Sequence, residues 1–331
     1  MKEEKKMMKS RLIALVAASL SLAGAANAQE ALRLGTSESG SVFYTLAVGL
    51  SRLANEHGGV SMSVEPVGGS HANIFGLMND SVDLAIVNAQ AAHDGRAGLA
   101  PFPAPVDICL VANGNVSVRQ LLVRRAANIA TVADLAGRTW ITNQASNPDL
   151  GQISMAIAAL ADLGPSDFRN VEMAETAEAI SGFETGTIDA ATIAASAGAP
   201  TVAQLMANQV VDYLYLSDAE MQQIIPNLPS ELFPYVLRAG TYENQDQDAN
   251  VFGVRTILVA QCDAAEEEVY ATVAALLDNT EQYATFHPTG RQWTRDALIE
   301  RPALPFHTGT IRYLEEQGMW TEELAQYHEA F

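Results

Sequence analysis

The stretch LRLGTSESGSVFYTLAVGLSRLANEHG, Leu32 to Gly58, joins a short apolar run to a helical one through a loop of small polar residues. Leu32 and Leu34 alternate as in a strand, whereas Phe43, Leu46, Ala47, Leu50, Leu53 and Ala54 recur at the spacing of one helix face. The segment reads as strand, Gly/Ser loop, helix. Gly35 and Gly40 let the backbone approach a guest closely, and the start of the helix offers unpaired N–H groups carrying a partial positive charge. An anionic group suits such a loop. A nucleotide P-loop is excluded, because Ser41 and Val42 stand where Lys and Ser/Thr would have to follow the second glycine. An ordinary capped strand-to-helix connection fits this stretch alone equally well, so the rest of the chain has to decide.

At the N-terminus Lys2, Lys5, Lys6, Lys9 and Arg11 precede or open the apolar run LIALVAASLSLAGA, and Ala26 to Ala28 form a small-x-small cleavage site. Residues 1–28 read as a secretory signal peptide, and its apolar core is too short and Ser-rich for a membrane span. The mature protein is expected to be exported, periplasmic and soluble. The leader carries five basic and two acidic residues, so its removal takes the formal charge from -20 to -23. That acidity argues against nucleic-acid partners and against adhesion to anionic lipid. It leaves anion binding open, because local amides act at short range while distant charges are screened. About 300 mature residues suffice for two domains or one large one without disulfides. Cys109 and Cys262 lie in or beside apolar strand-like runs, which favours buried free thiols over a bridge.

From Leu32 onward short β-like runs alternate with helical patterns, the signature of parallel α/β units. The expected strands include MSVEPV, DLAIVN, QLLVRR, RTWITN, DAATIAA, DYLYL and VFGVRTILVA. Leu150, Ile153, Ile157 and Leu160 share a helix face, and AEEEVYATVAALLDNTEQYATF is expected as one long helix capped by Asp263. PFPAPVD and IIPNLPSELFPYVLRAGTYENQDQD read as loops. One lobe is therefore expected to be inserted in another, with the chain crossing between them about twice.

VEPVGGSHANIFGLMNDSVDLAIVNAQ repeats the opening arrangement: a strand to Val67, the loop Gly68-Gly69-Ser70, a short helix, then a strand ending at Asn88 to Gln90. Ligands of open α/β sheets bind outside the carboxyl ends of strands, so these loops should converge, with Ser70, Asn73, Asn88 and Gln90 adding neutral hydrogen-bonding groups.

These two stretches, followed in order by VADLAGRTWITN, ISGFETGTIDAATIAASAGAPT, LRAGTYENQDQDANVFGVRTILVA and FHTGTIRYLEEQGMW, resemble the TAXI family, the extracytoplasmic solute receptors of TRAP transporters. The likeness spans almost the whole mature chain. It implies a two-lobed, type II-like periplasmic-binding-protein fold with the ligand cleft between lobes. Lobe I would be 29–120 plus 240–331, and lobe II 121–239. It further implies a monomer without catalysis, cofactor or metal. Such a receptor captures a small carboxylate, such as glutamate or a dicarboxylate, and passes it to a TRAP membrane permease. Carried onto this chain, the ligand residues would be Gly35, Thr36, Ser39, Gly40, Tyr44, Ser70, Asn73, Asn88 and Gln90 on one lobe. Asn143, Ser146, Gly198 and Pro200 would lie on the other. The chain departs from the family at NQASNPDLG, where the usual glycines of a helix start are missing and Pro148 restricts the loop.

A cleft arginine is expected, if anywhere, at Arg96, Arg238 or Arg255, each of which also reads as an ordinary structural charge. The six histidines (57, 71, 93, 287, 307, 328) show no metal-ligand spacing, and no G-x-S-x-G elbow occurs. His71 reads as a solvent-facing loop residue and ENQDQD as a solvated acidic loop. Two other functions compete with transport: a receptor of the same fold serving a membrane sensor kinase, and an exported enzyme acting on a small anion.

Overall fold

The structure, a computed structural model, describes residues 31–144, 147–173 and 176–331. The leader at 1–28 and Ser146 lie outside the described residues. The strands are β1 (Leu32–Thr36), β2 (Met62–Pro66), β3 (Leu84–Asn88), β4 (Ile108–Arg124), β5 (Thr139–Gln144), β6 (Arg169–Met173), β7 (Ala190–Ser196), β8 (Val211–Tyr213), β9 (Phe233–Leu237) and β10 (Ala249–Gln261). The helices are α1 (Val42–Leu53), α2 (Ser70–Met78), α3 (Ala89–Ala97), α4 (Asp149–Ala158), α5 (Thr176–Thr185), α6 (Pro200–Ala207), α7 (Asp218–Ile224), α8 (Glu266–Leu277), α9 (Thr280–Phe286), α10 (Arg295–Ile299), α11 (Thr308–Glu316) and α12 (Glu322–Glu329).

One mixed sheet runs β2-β1-β3-β10-β4-β7-β5-β6, with β8 beside β4 and β9 beside β10. In one half β1 is parallel to β2 and β3, and in the other β5 is parallel to β6 and β7. Two long antiparallel strands join the halves. β4 pairs with β10 through Ile108–Ser117 and with β7 through Ser117–Val123, while β10 turns from β9 at its start to β3 at its end. Parallel strands covered by helices on both faces lose their alternation, and all five residues of β3 are buried. Helix α1, which packs on β1 and β2, seats Leu46, Leu50 and Leu53 at 0% exposure, each such burial contributing about 2 kcal/mol. Ser41 caps α1 by accepting from the Tyr44 N–H at 3.1 Å, and Asn88 caps α3 by accepting from the Ala91 N–H at 2.7 Å.

Four expectations change. DICLVA and QLLVRR are parts of a single strand of 17 residues, β4. The segment read as the second loop contains β9, which tolerates Pro234 because β9 pairs with β10 on one side and, among the described strands, has an open edge on the other that needs no N–H donor. The long helix is two, α8 and α9, with Ala265 rather than Asp263 at the N-cap. The break holds because Asp278 accepts from Tyr313 Oη at 2.7 Å and Arg295 Nη2 at 2.5 Å, and Thr280 Oγ1 donates to the Trp293 carbonyl at 3.1 Å. Lastly, Cys109 and Cys262 form a disulfide. β4 and β10 run antiparallel with Ala260 opposite Cys109, which brings the two Cα atoms to 4.9 Å despite a separation of 153 residues.

His307 is fully buried at the start of α11, its Nδ1 accepting from the Gly309 N–H at 3.1 Å and its Nε2 3.1 Å from the Ala264 carbonyl. Burial holds its pKa below 6.5, against the smaller upward pull of the Ala264 carbonyl and nearby carboxylates. The unfolded chain therefore binds a proton that the fold resists. The stability this histidine contributes is complete above pH 6.5 and is lost as pH falls from 6.5 toward its folded value. A Tm series from pH 7.5 to 5.5 should slope downward, and His307→Gln should flatten the slope; an unchanged slope would refute the assignment.

Candidate functional site

A cleft of about 620 Å³ lies at the carboxyl ends of the parallel strands. Beyond β1 it is walled by Ser37 to Gly40 and the start of α1, beyond β2 by Gly68, Gly69 and Ser70, and beyond β3 by Asn88. Beyond β7 the wall continues with Ser196, Ala199, Pro200 and Thr201, and Thr176 and Ala177 open α5. β4 crosses between them and contributes Asn115, Ser117 and Arg119. Gly68 and Gly69 have φ of +126° and +116°, which L side chains rarely adopt, so the glycines themselves shape the entry to α2. The Thr36 carbonyl ties that loop down by accepting from the N–H groups of Val67 and Gly68 at 2.9 and 3.2 Å.

Arg119 is 1% exposed although it bears a charge. Its Nε donates to Asp149 Oδ2 at 2.5 Å and its Nη1 to Ser117 Oγ at 2.6 Å, with Nη2 3.5 Å from Asn147 Oδ1. Asp149, the first residue of α4, is itself 3% exposed, so the pair is desolvated on both sides. His287 also faces the cleft, and burial lowers its pKa, which favours the neutral ring.

The family model described as NMT1-like matches residues 34–318. The chain belongs to the NMT1-like family. No curated protein matches it. Among solved structures, this NMT1-like chain is similar to MatC from Rhodopseudomonas palustris with bound malate, at 13% identity and a TM-score of 0.54 over 90% of this chain and 98% of that one. It is similar to PhnD1 from Prochlorococcus marinus (MIT 9301) in complex with methylphosphonate, at 10% identity and a TM-score of 0.55 over 88% and 100%. The periplasmic aliphatic sulphonate binding protein SsuA from Escherichia coli aligns at 17% identity and a TM-score of 0.47 over 91% and 78%. The fold is the α/β fold of periplasmic binding proteins, a mixed sheet flanked by helices.

Of the residues expected at the site, Ser39, Gly40, Ser70, Asn88 and Pro200 line the cleft of the NMT1-like chain. Gly35 and Thr36 are buried at the end of β1, and Thr36 Oγ1 has no hydrogen-bond partner among the described residues. Tyr44 engages the helix cap through its N–H, which donates to Ser41 Oγ, and it is off the cleft wall. Asn73 is turned to β3, donating to the Ile86 carbonyl at 2.8 Å, and Gln90 reaches along α3 to Asp94 Oδ1 at 2.7 Å. Asn143 packs by Gly151 and Glu172, and Gly198 gives its N–H to Tyr242 Oη at 3.0 Å. These residues shape the wall from behind.

None of the three candidate arginines lines the cleft. Arg96 reaches Asp107 and the Ile108 carbonyl, Arg238 reaches Asp248, and Arg255 reaches Glu300 and the Gly114 carbonyl. Arg119 takes that place, signalled only by a lone charge inside the run VSVRQLLV. His71 belongs to α2 rather than a solvent-facing loop, half-buried and stacked on Phe102 with ring centroids 5.6 Å apart.

Proposed function

We propose that this NMT1-like protein is an exported, monomeric solute-binding receptor, without catalysis of its own, that captures a small organic anion and passes it to a TRAP-type membrane permease. The observation that carries the reading is convergence. The N-terminal ends of α1 and α2 from one half of the sheet and of α5 and α6 from the other reach a single cleft that also holds a buried arginine. Helix starts with spare N–H groups favour an anion, and donors from both halves let a ligand stabilise their approach. Malate in MatC and methylphosphonate in PhnD1 are ligands of that charge. In this reading 29–120 with 240–331 form one lobe, 121–239 the other, and β4 and β10 the hinge. The TAXI-like order of motifs and the Lys-rich leader support delivery to a TRAP permease across a periplasm.

A thermal-shift screen of the purified protein against organic acids, amino acids, phosphonates, sulphonates and sugars tests it. A ligand at 100 times its Kd stabilises the native state by about 2.7 kcal/mol, a rise of about 4 °C for a chain of this size. A rise with at least one acid is the expected result, and a screen in which no solute raises Tm would refute the receptor.

A further inference from the structure

We infer that the solute of this cleft carries a single negative charge, no ammonium group and an apolar body, as in aliphatic monocarboxylic and 2-oxo acids, rather than an amino acid or a dicarboxylate. This rests on the receptor reading and narrows it. The cations come first. All four lysines of the chain, at 2, 5, 6 and 9, precede residue 29, so every cation of the remaining sequence is an arginine or a histidine. Nine arginines other than Arg119 are held in ion pairs elsewhere, such as Arg33 with Asp83, Arg124 with Asp189 and Arg295 with Asp278. Among the described residues Arg119 is the single arginine on the cleft wall. Positions 145, 146, 174 and 175 are Ala, Ser, Ala and Glu, so the sequence adds no cation there.

Arg119 is already balanced. Asp149 neutralises its charge at 2.5 Å, and Ser117 takes a further donor at 2.6 Å. What remains for a ligand is the guanidinium N–H groups not engaged by those partners, plus the helix starts, each equivalent to roughly half a positive charge. That supply matches one carboxylate. A second would be desolvated with no cation opposite it.

An ammonium fares worse. Among the described lining residues the one carboxylate is Glu38, exposed on the first loop, while Asp149 is committed to Arg119 and Glu175 lies outside the described residues. The helix starts that favour an anion repel a cation. Val42 and Phe43 on one side and Ala194, Ala195 and Pro200 on the other set apolar patches among the Ser, Thr, Asn and Gln side chains of the wall, and those patches suit a short hydrocarbon body.

Isothermal titration of the purified protein with a matched panel tests this: straight-chain monocarboxylates from acetate to octanoate, 4-methyl-2-oxopentanoate, leucine, glutamate, glutarate, succinate and isovaleramide. The expected result is that the best monoacid binds at least 100-fold more tightly than leucine, glutamate or either dicarboxylate, and that the neutral amide gives no heat of binding. Tighter binding of glutamate, leucine or a dicarboxylate than of every monoacid would overturn the inference and leave the receptor standing. So would binding confined to neutral solutes. Failure of every panel member, together with every solute of the wider screen, would remove both.

Discussion

Arg119→Ala should abolish solute binding and lower the unfolding free energy by about 3–5 kcal/mol, the cost of leaving one partner of a buried ion pair alone. Asp149 would then sit 3% exposed with its 2.5 Å partner gone. The two effects are separable because a buried pair replaced by apolar residues of similar volume is often neutral for stability. Arg119→Met/Asp149→Leu is therefore expected to unfold in urea within about 1 kcal/mol of the parent while still failing to bind the acid found in the screen. A stable double variant that keeps full affinity would show that Arg119 supports the fold alone.

Gly114→Ala should cost about 3 kcal/mol or more, an overpacking effect at the upper end of the usual range. A Cβ at this position would stand 2.0 Å from Trp293 Cε2 and 2.3 Å from Cζ2. The indole has nowhere to go: it is 0% exposed, stands edge-on to Tyr283 with centroids 6.0 Å apart, and donates Nε1 to Asn115 Oδ1 at 3.1 Å. Asn115 lines the cleft, so displacing Trp293 reaches the ligand wall as well as the core. Trp293→Ala opens the space at a cost of about 3–5 kcal/mol. In that background Gly114→Ala should add little, because the two changes share one contact. Denaturant titration of the four proteins closes the cycle, and simple additivity would refute the proposed clash.

The fold was legible where the signal is local. Strand and helix periods, the glycines at 35, 40, 68 and 69 and the loop-to-helix order all concern residues within a few positions of one another, and they place β1, β2, β3 and the helices α1 and α2. What depends on pairing between distant strands was not legible. The register of β10 against β4 decides the disulfide, that of β4 against β7 sets Arg119 opposite Ala194 at the cleft, and nothing near Cys109 or Arg119 in the sequence reports either. The cleft arginine was hidden for the same reason: the part of the cleft that holds the guanidinium comes from a strand interior rather than a loop, where a charge reads as an exception in an apolar run. Asn73 and Gln90 show a smaller limit. They follow the right strands, but the phase of the helix turns Asn73 toward β3 and Gln90 toward Asp94.

The bond between Cys109 and Cys262 makes the intervening chain a covalent ring. Every element from β5 to β9 hangs on that ring, including the β7 and α6 side of the cleft. A proteolytic nick in any of its loops would open the ring without releasing either piece. The cut halves of the cleft would stay joined until a reductant arrived, a durability suited to an oxidising compartment where proteases are present and thiols are scarce.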